Sequence, residues 1–259
     1  VFYTPRIHVR YNPWEKSVLR FSAGRGKRAA NLFAENQHLL GSSRAFSILD
    51  SEGKIYGLQP EIAWNYGVSF TQNFQLFHKK ADIGFDFYRT VFQNQAVIDI
   101  MQSPQQVLFY NLRGASYANS FQLDFGIELL KHLNLRTSYK YFDIATDYLS
   151  GSFQRPLQAK HRFFMNVEYA THITDKGSQW KFDFTLNWLG KQQLPYTFSN
   201  PETDRLPSKS PSFSVMNTQI TKTFSSVFEV YLGGENIGNY RQEKAVLGAS
   251  NPFGATFDT

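Results

Sequence analysis

The stretch Gln179-Trp180-Lys181-Phe182-Asp183-Phe184-Thr185-Leu186-Asn187-Trp188-Leu189 decides the fold class. Its apolar residues, Trp180, Phe182, Phe184, Leu186 and Trp188, take every second position. Lys181, Asp183, Thr185 and Asn187 fill the gaps. Successive strand side chains point to opposite faces, so this run has one apolar, Trp-ended face and one polar face. A half-buried strand of a soluble sheet reads the same way. The discriminating question is whether the rest of the chain repeats the pattern at this length.

It does. The alternation recurs around Ile7–Tyr11, Leu19–Ala23, Ile62–Phe70, Ile83–Phe87, Phe121–Leu129, Leu133–Tyr141, Phe163–Tyr169 and Phe228–Leu232. Phe213 to Phe224 is a further strand whose faces the pattern leaves open. This makes about ten strands, near the 9–11 residues that a tilted membrane strand requires. Connections alternate short and long. Short ones fall at Asn12–Lys16, near Asn73, at Lys131-His132, Thr174–Gly177 and Ser225-Ser226. Long ones run over Lys27–Gly57, Asn94–Gln106, Leu149–Lys160, Lys191–Pro211 and from Asn239 onward. Short turns on one rim and long loops on the other is the up-and-down order of outer-membrane barrels. A sandwich or jelly roll has no reason to sort its loops so.

Composition agrees. Aromatics make up 17% of 259 residues, with 25 Phe and 14 Tyr, yet mean hydropathy is only −0.39. Alternating strands average out to polar in this way. No apolar run reaches the ~18 residues of a spanning helix. With no Cys, disulfide frameworks and thiolate sites are excluded. The net charge of +6 comes without a Lys/Arg run, so no nucleic-acid partner is expected.

The charges sort to one face. Arg10, Arg20, Asp82, Asp86, Asp124, Glu128, Arg136, Lys140, Arg162, Glu168, Lys181, Asp183 and Glu229 share the polar side of their strands. Arg89, near a strand end, is the exception and can snorkel. A charge facing mid-bilayer lipid costs roughly 2–4 kcal/mol, which accounts for the sorting. Mixed charge on the inner side favours a wide lumen that holds water or a plug. The segment from Asn239 to Thr259 is loop-like, and a closed barrel needs a returning strand there. The chain is therefore expected to be part of a larger barrel, lacking its last strand.

Several stretches together resemble the C-terminal half of a TonB-dependent outer-membrane receptor. Leu19 to Asn36 resembles the segment carrying Gly-x-x-Arg, then Ala, then Glu. Leu58-Gln59-Pro60-Glu61 is similar to the family's Leu-x-Pro-Glu. Phe125-Gly126-Ile127-Glu128-Leu129 is similar to its Gly-x-Glu-Leu strand, and Gly234 to Tyr240 resembles its near-terminal Glu-Asn-Leu-x-Asn-x-x-Tyr. The resemblance implies an all-β, antiparallel up-and-down transmembrane barrel of about 22 strands. Residues 1–259 would be a partial C-terminal barrel domain, roughly its twelfth to twenty-first strands. The plug domain, the TonB box and the final strand would lie outside the chain. It further implies multi-pass residence in the bacterial outer membrane and active import of a scarce ligand: a ferric siderophore, haem, cobalamin or oligosaccharide. Partners would be outer-membrane lipid, the protein's own plug, TonB and the ligand, with room for a surface lipoprotein. No enzyme activity or cofactor is implied. A passive porin or small closed barrel is the alternative, and a soluble β-rich binding protein is a third reading.

Site candidates are few. Arg25, Lys27 and Arg28 stand at the mouth of a long loop, where they can attract an anionic ligand; the plainer reading is a solvated loop base. Loop aromatics Phe46, Tyr56, Tyr148, Phe153, Tyr196 and Phe198 either stack on a ligand or pack loops together. Of these, Tyr56, Tyr148 and Tyr196 join the three cations as expected ligand contacts. Asp82 and Asp86 on one strand have the residue types of an acid/base pair, but fit equally the wall of a hydrated lumen. The histidines show no metal-ligand spacing.

The opening strand also sets a membrane scale. Trp180 and Trp188 are separated by about 20 Å along the barrel axis at a ~40° tilt, close to the apolar band of an outer membrane. Phe184→Arg should therefore impair assembly, read as loss of the folded, heat-modifiable band, whereas neighbouring Thr185→Arg should be tolerated. Equal tolerance of both would remove the membrane assignment.

Overall fold

The computed structural model describes residues 3–244 and 246–259. In chain order the strands are β1 (Arg6–Tyr11), β2 (Ser17–Arg28), β3 (Ala45–Ile48), β4 (Glu61–Leu76), β5 (Lys79–Asn94), β6 (Ala96–Asp99), β7 (Gln106–Asn111), β8 (Ser116–Leu130), β9 (Leu133–Tyr148), β10 (Gly151–Gln154), β11 (His161–Ala170), β12 (Gln179–Leu189), β13 (Phe213–Thr223) and β14 (Glu229–Gly234). Two short helices, α1 (Leu32–Glu35) and α2 (Gln37–Leu40), precede β3. The large sheet runs β1-β2-β4-β5-β8-β9-β11-β12-β13-β14, every pair antiparallel, with β10 paired to β9. It is an open up-and-down wall. Its ten-strand path matches the ten strands read from the alternation.

Register carries the two faces across the wall. One row reads Leu19, Phe70, Phe85, Leu123, Tyr139, Phe163 and Trp188, each opposite the next. The adjacent row reads Arg10, Arg20, Ser69, Asp86, Gln122, Lys140 and Arg162. A one-residue slip anywhere would exchange the faces. The apolar face is bare: Ile7 is 62% exposed and Leu232 77%. Soluble proteins seldom leave a continuous apolar surface of this extent.

Several details differ from the sequence reading. The short connection expected near Asn73 lies instead at the two-residue turn Phe77-His78, with φ of 50° and 63°, and Asn73 lies within β4 opposite Asp82. Both turn residues are left-handed, as a primed hairpin turn requires, but neither is the Asn or Gly that advertises one. β13 takes its faces from β12. Met216 and Ile220 lie opposite Leu186 and Phe182, and Asn217 and Gln219 opposite Thr185 and Asp183. Lys222, opposite Trp180, is a further charge on the apolar side, as are Arg25, Lys27 and Arg89. It sits beside the turn, 4.8 Å above the Trp180 ring, and donates to Ser178 Oγ at 2.7 Å. Phe142 and Phe164 fall on the polar face, opposite Ser120 and Ser138.

The long connections are folded rather than merely polar. β3, β7 and β6 form a second sheet above the wall, so the stretch expected to be loop over Asn94–Gln106 contains a strand and leads into another. Its apolar residues, with α1 and α2, enclose Leu32, Leu39, Leu58, Ile100, Val107 and Phe109. Beside it Val97, Leu108 and Tyr110 pack with Leu112 and Tyr148. Burying each large side chain is worth roughly 1.5–3 kcal/mol. Asp99 is 1% exposed; it accepts from Tyr110 Oη at 2.9 Å and from Met101 N at 2.9 Å. Tyr110 Oη in turn accepts from Leu149 N at 3.0 Å, tying this cap to the β9–β10 connection. The last segment joins the same cap. Ser43 N donates to Phe257 O at 3.1 Å and Asn200 Nδ2 to Thr259 O at 3.0 Å.

Tyr110→Phe removes both bonds of that hydroxyl and leaves the buried Asp99 with the Met101 amide alone, a loss of about 1–3 kcal/mol. Amide exchange should accelerate across residues 95–115 and at 149, with the wall strands unchanged.

Candidate functional site

Upper β9 pairs with β10 and lower β9 with β11. Between the two pairings the chain from Arg155 to Lys160 leaves the sheet. Arg155 N donates to Ile144 O at 3.1 Å and Phe142 N to Lys160 O at 2.8 Å, pinning both ends of the excursion to β9. Leu157, at φ 58°, donates to Gln193 O at 2.8 Å, and Ala159 bridges Gln192. Gln193 bridges Lys209 in turn. Three segments thus surround a cavity of about 230 Å³.

Its chemistry is one-sided. Arg155, Lys160, Lys191 and Lys209 line it with His161, three glutamine amides (Gln154, Gln158, Gln193) and a floor of Phe142 and Ile144. No carboxylate lines it. Lys160 Nζ is 3.7 Å from Asp143; among the described residues no carboxylate comes within ion-pair distance of Arg155, Lys191 or Lys209. Phe142 and Ile144 stand on the polar face, while Gln154 and Lys160 reach Asp143 on the apolar side, so the cavity fills the gap between the two pairings of β9; on the polar face a second one of about 390 Å³ is lined in part by Gln122, Ser138, Lys140, Arg162 and Asn187. Arg162 lies 5.6 Å over the Phe142 ring between the two. Its buried Nε and the buried Ser138 Oγ have no hydrogen-bond partner. Buried donors without partners are rare and mark a site for water or a ligand. With Arg136 opposite Asn166 one step lower, cations descend the polar face from the cap toward the short-turn rim. Such an arrangement can bind an anion by charge-assisted hydrogen bonds and pass it inward.

The residues singled out from the sequence occupy other settings. Arg28 is engaged on both sides: Nη1 and Nη2 reach Glu35 at 2.8 and 3.1 Å, and Nε donates to Glu61. Glu61 Oε1 also accepts from Ala96 N at 3.2 Å, so Arg28 binds α1 and β6 to the wall. Arg25 and Lys27 lie opposite Trp64 and Ile62, on the apolar side of β2. Tyr56 packs edge-on against Phe33 at 5.4 Å, and Tyr196 packs at a tilt against Phe198 at 5.7 Å. Tyr148, expected in a loop, ends β9 and packs on the cap core beside Phe153. Asp82 and Asp86 are about 13 Å apart along one strand at ~3.3 Å per residue, too far to share a proton. Among the described residues no group of three or more His, Asp or Glu is placed to hold a metal ion. The cationic pocket was missed because its residues come from two separate long loops. The one signal was local: Leu149 to His161 contains Arg155 and Lys160 and no acidic residue.

The family model described as TonB dependent receptor-like, beta-barrel, matches residues 1–237. Among solved structures, a ferric enterobactin receptor (PfeA) from Pseudomonas aeruginosa is similar at 12% identity and TM-score 0.61, over 92% of this chain and 35% of that one. The ferric-catecholate import receptor Fiu from E. coli K12 is similar at 12% identity and TM-score 0.60, over 91% and 30%. The copper transporter OprC is similar at 12% identity and TM-score 0.66, over 91% and 34%. Identities this low show a shared fold, and the chain spans about a third of the length of these structures. No curated protein matches the chain by sequence.

Burial, reinforced by the Asp99 charge and opposed by Arg155, pushes the Tyr148 phenol up to about 12. Burial raises Tyr110 further still. For an acid whose folded pKa is raised, stability is complete below the unfolded value, ~10 for tyrosine, and is lost as pH climbs toward the folded one. The cap should therefore hold to about pH 10 and loosen between roughly 10 and 12. Near-UV circular dichroism should follow this, and Tyr148→Phe should remove a late-titrating phenol from the 295 nm absorbance curve.

Proposed function

Because the chain belongs to the TonB-dependent receptor β-barrel family, we propose that its strands are part of a transmembrane wall in a bacterial outer membrane, and that the whole protein imports a scarce anionic ligand. The open edges at β1 and β14 are completed by further strands, because unpaired backbone groups are not tolerated in hydrocarbon. The polar face lines the lumen and the short turns face the periplasm. A plug domain meets the lumenal charges, and TonB drives its rearrangement. Like charges adjoin across this face at Arg10 and Arg20, Lys140 and Arg162, and Glu168 and Asp183. Such pairs disfavour an empty wall, which supports a plug or bound ligand as their counterpart.

The observation that carries the ligand class is the pocket of Arg155, Lys160, Lys191 and Lys209 without a lining carboxylate. Within the range the family resemblance allows, it favours an anionic metal chelate or haem over an uncharged oligosaccharide. The Phe142 and Ile144 floor suits a ligand with planar or apolar parts.

With the full-length protein in detergent, a ferric tris-catecholate chelate should bind with affinity that falls as salt rises. Arg155→Gln with Lys191→Gln and Lys209→Gln should weaken it by about tenfold or more, leaving binding of a neutral maltooligosaccharide unaltered. Unchanged chelate affinity in the triple variant would remove the pocket. In cells an uncoupler should abolish uptake while sparing surface binding; uptake that survives it would establish a passive pore instead.

A further inference from the structure

On the polar face, Lys140 of β9 stands directly opposite Arg162 of β11. Side chains so paired have Cβ atoms roughly 5 Å apart, and two like charges at that separation repel. Among the described residues neither has a carboxylate within ion-pair distance. Asp124 of β8 faces Ser138 by register but leans the other way. Its carboxylate takes the Gln122 amide at 2.9 and 2.7 Å, and it overlies Gly84 of β5. Among the described residues, then, the wall supplies the pair with no counter-charge.

Two further observations point to a ligand. Arg162 Nε and Ser138 Oγ are buried and have no hydrogen-bond partner among the described residues, which is rare in a native structure. Both residues line the cavity of about 390 Å³ together with Lys140 and Asn187. Its donors therefore come from three strands, Ser138 and Lys140 from β9, Arg162 from β11 and Asn187 from β12. Donors set around a cavity in this way suit a tetrahedral group with oxygens on every side, whereas a carboxylate presents two oxygens only. Two positive charges also balance a dianion better than a monoanion. The Arg162 guanidinium is held over the Phe142 ring, and its planar fork matches phosphate geometry. Phe164 and Leu189 face the remaining room, so a phosphate there can carry an organic group.

We propose that Lys140, Arg162 and Ser138 form a binding site for a dianionic phosphate group, either inorganic phosphate or the phosphate of a phosphomonoester. The site is separate from the mouth pocket. Its donors stand on wall strands, whereas Arg155, Lys191 and Lys209 belong to the connections. It depends on neither the membrane reading nor the nature of any cargo.

The test is calorimetric titration of full-length protein in detergent with sodium phosphate at about pH 8, where phosphomonoesters are dianionic. Arg155→Gln, Lys191→Gln and Lys209→Gln are present throughout, so that the mouth pocket takes no part. Phosphate should bind saturably, and Arg162→Gln or Lys140→Gln should each weaken it by about tenfold or more. Arg162→Lys, which keeps the charge without the fork, should recover part of that loss. Ser138→Ala should weaken binding about threefold, and Arg20→Gln, on the polar face but outside the cavity, should leave it unchanged. Acetate at equal ionic strength should not compete. Phenyl phosphate then identifies the source: binding tighter than phosphate marks a phosphomonoester site, and equal or weaker binding marks a site for the free ion. Heat-modifiable migration reports the folding of each variant, and Lys140→Gln decides the matter if Arg162→Gln misfolds. Absence of saturable binding overturns the site, in favour of a carboxylate supplied by the rest of the protein. Phosphate affinity unaffected by Arg162→Gln and Lys140→Gln also overturns it, as does acetate that competes as strongly as phosphate.

Discussion

A backbone amide in hydrocarbon has no water to bond, so each must find its partner in the neighbouring strand. The rest of the structure depends on that ladder. Because the partner strand is set by hydrogen bonding, the side-chain period of two extends from single strands to the whole wall. The row from Leu19 to Trp188 is continuous because seven strands share one register. The same register places Arg20, Asp86, Lys140 and Arg162 on the opposite side. An apolar side and a charged side are separated by the thickness of one strand.

This wall has almost no buried apolar core, since both of its faces are surfaces. The enclosed hydrophobic clusters lie instead in the cap, where Val107, Phe109 and Tyr110 are among the most buried residues of the chain. There the connections must hold themselves together in water, and they do so as a small soluble domain does. Apolar side chains exclude water, and the few buried polar groups, Asp99 above all, are fully bonded. Arg28 joins the two regimes by holding α1 and β4 at their junction. A cap so tied holds one rim of the wall at a fixed position relative to the polar face.

Legibility followed the range of the interaction concerned. Strand number, face and loop order are local periodicities, and ten strands could be read from alternation alone. The folded cap was not legible, because α1, α2, β3, β6 and β7 are each too short to show a period and gain stability only from one another. The Phe77-His78 turn was missed because its left-handed residues lack the usual chemistry. β13 resisted assignment because Thr218, Gln219 and Thr221 blur its alternation, and only pairing with β12 resolves it.

The candidate cations show the same division. Arg25, Lys27 and Arg28 stood out in the sequence as a cluster, yet strand geometry sends Arg25 and Lys27 to one face and Arg28 to the other, into two carboxylates. Arg155, Lys191 and Lys209 looked unremarkable because they are brought together only when the β9–β11 and β12–β13 connections bridge at Ala159–Gln192 and Gln193–Lys209. The sequence by itself determined that this protein is a β wall with an apolar side, a charged side and one elaborate rim, since a period of two is written into consecutive residues. Only the tertiary structure decided which charges meet, which are neutralised and which remain to bind an anion, because those outcomes depend on contacts between residues far apart along the chain.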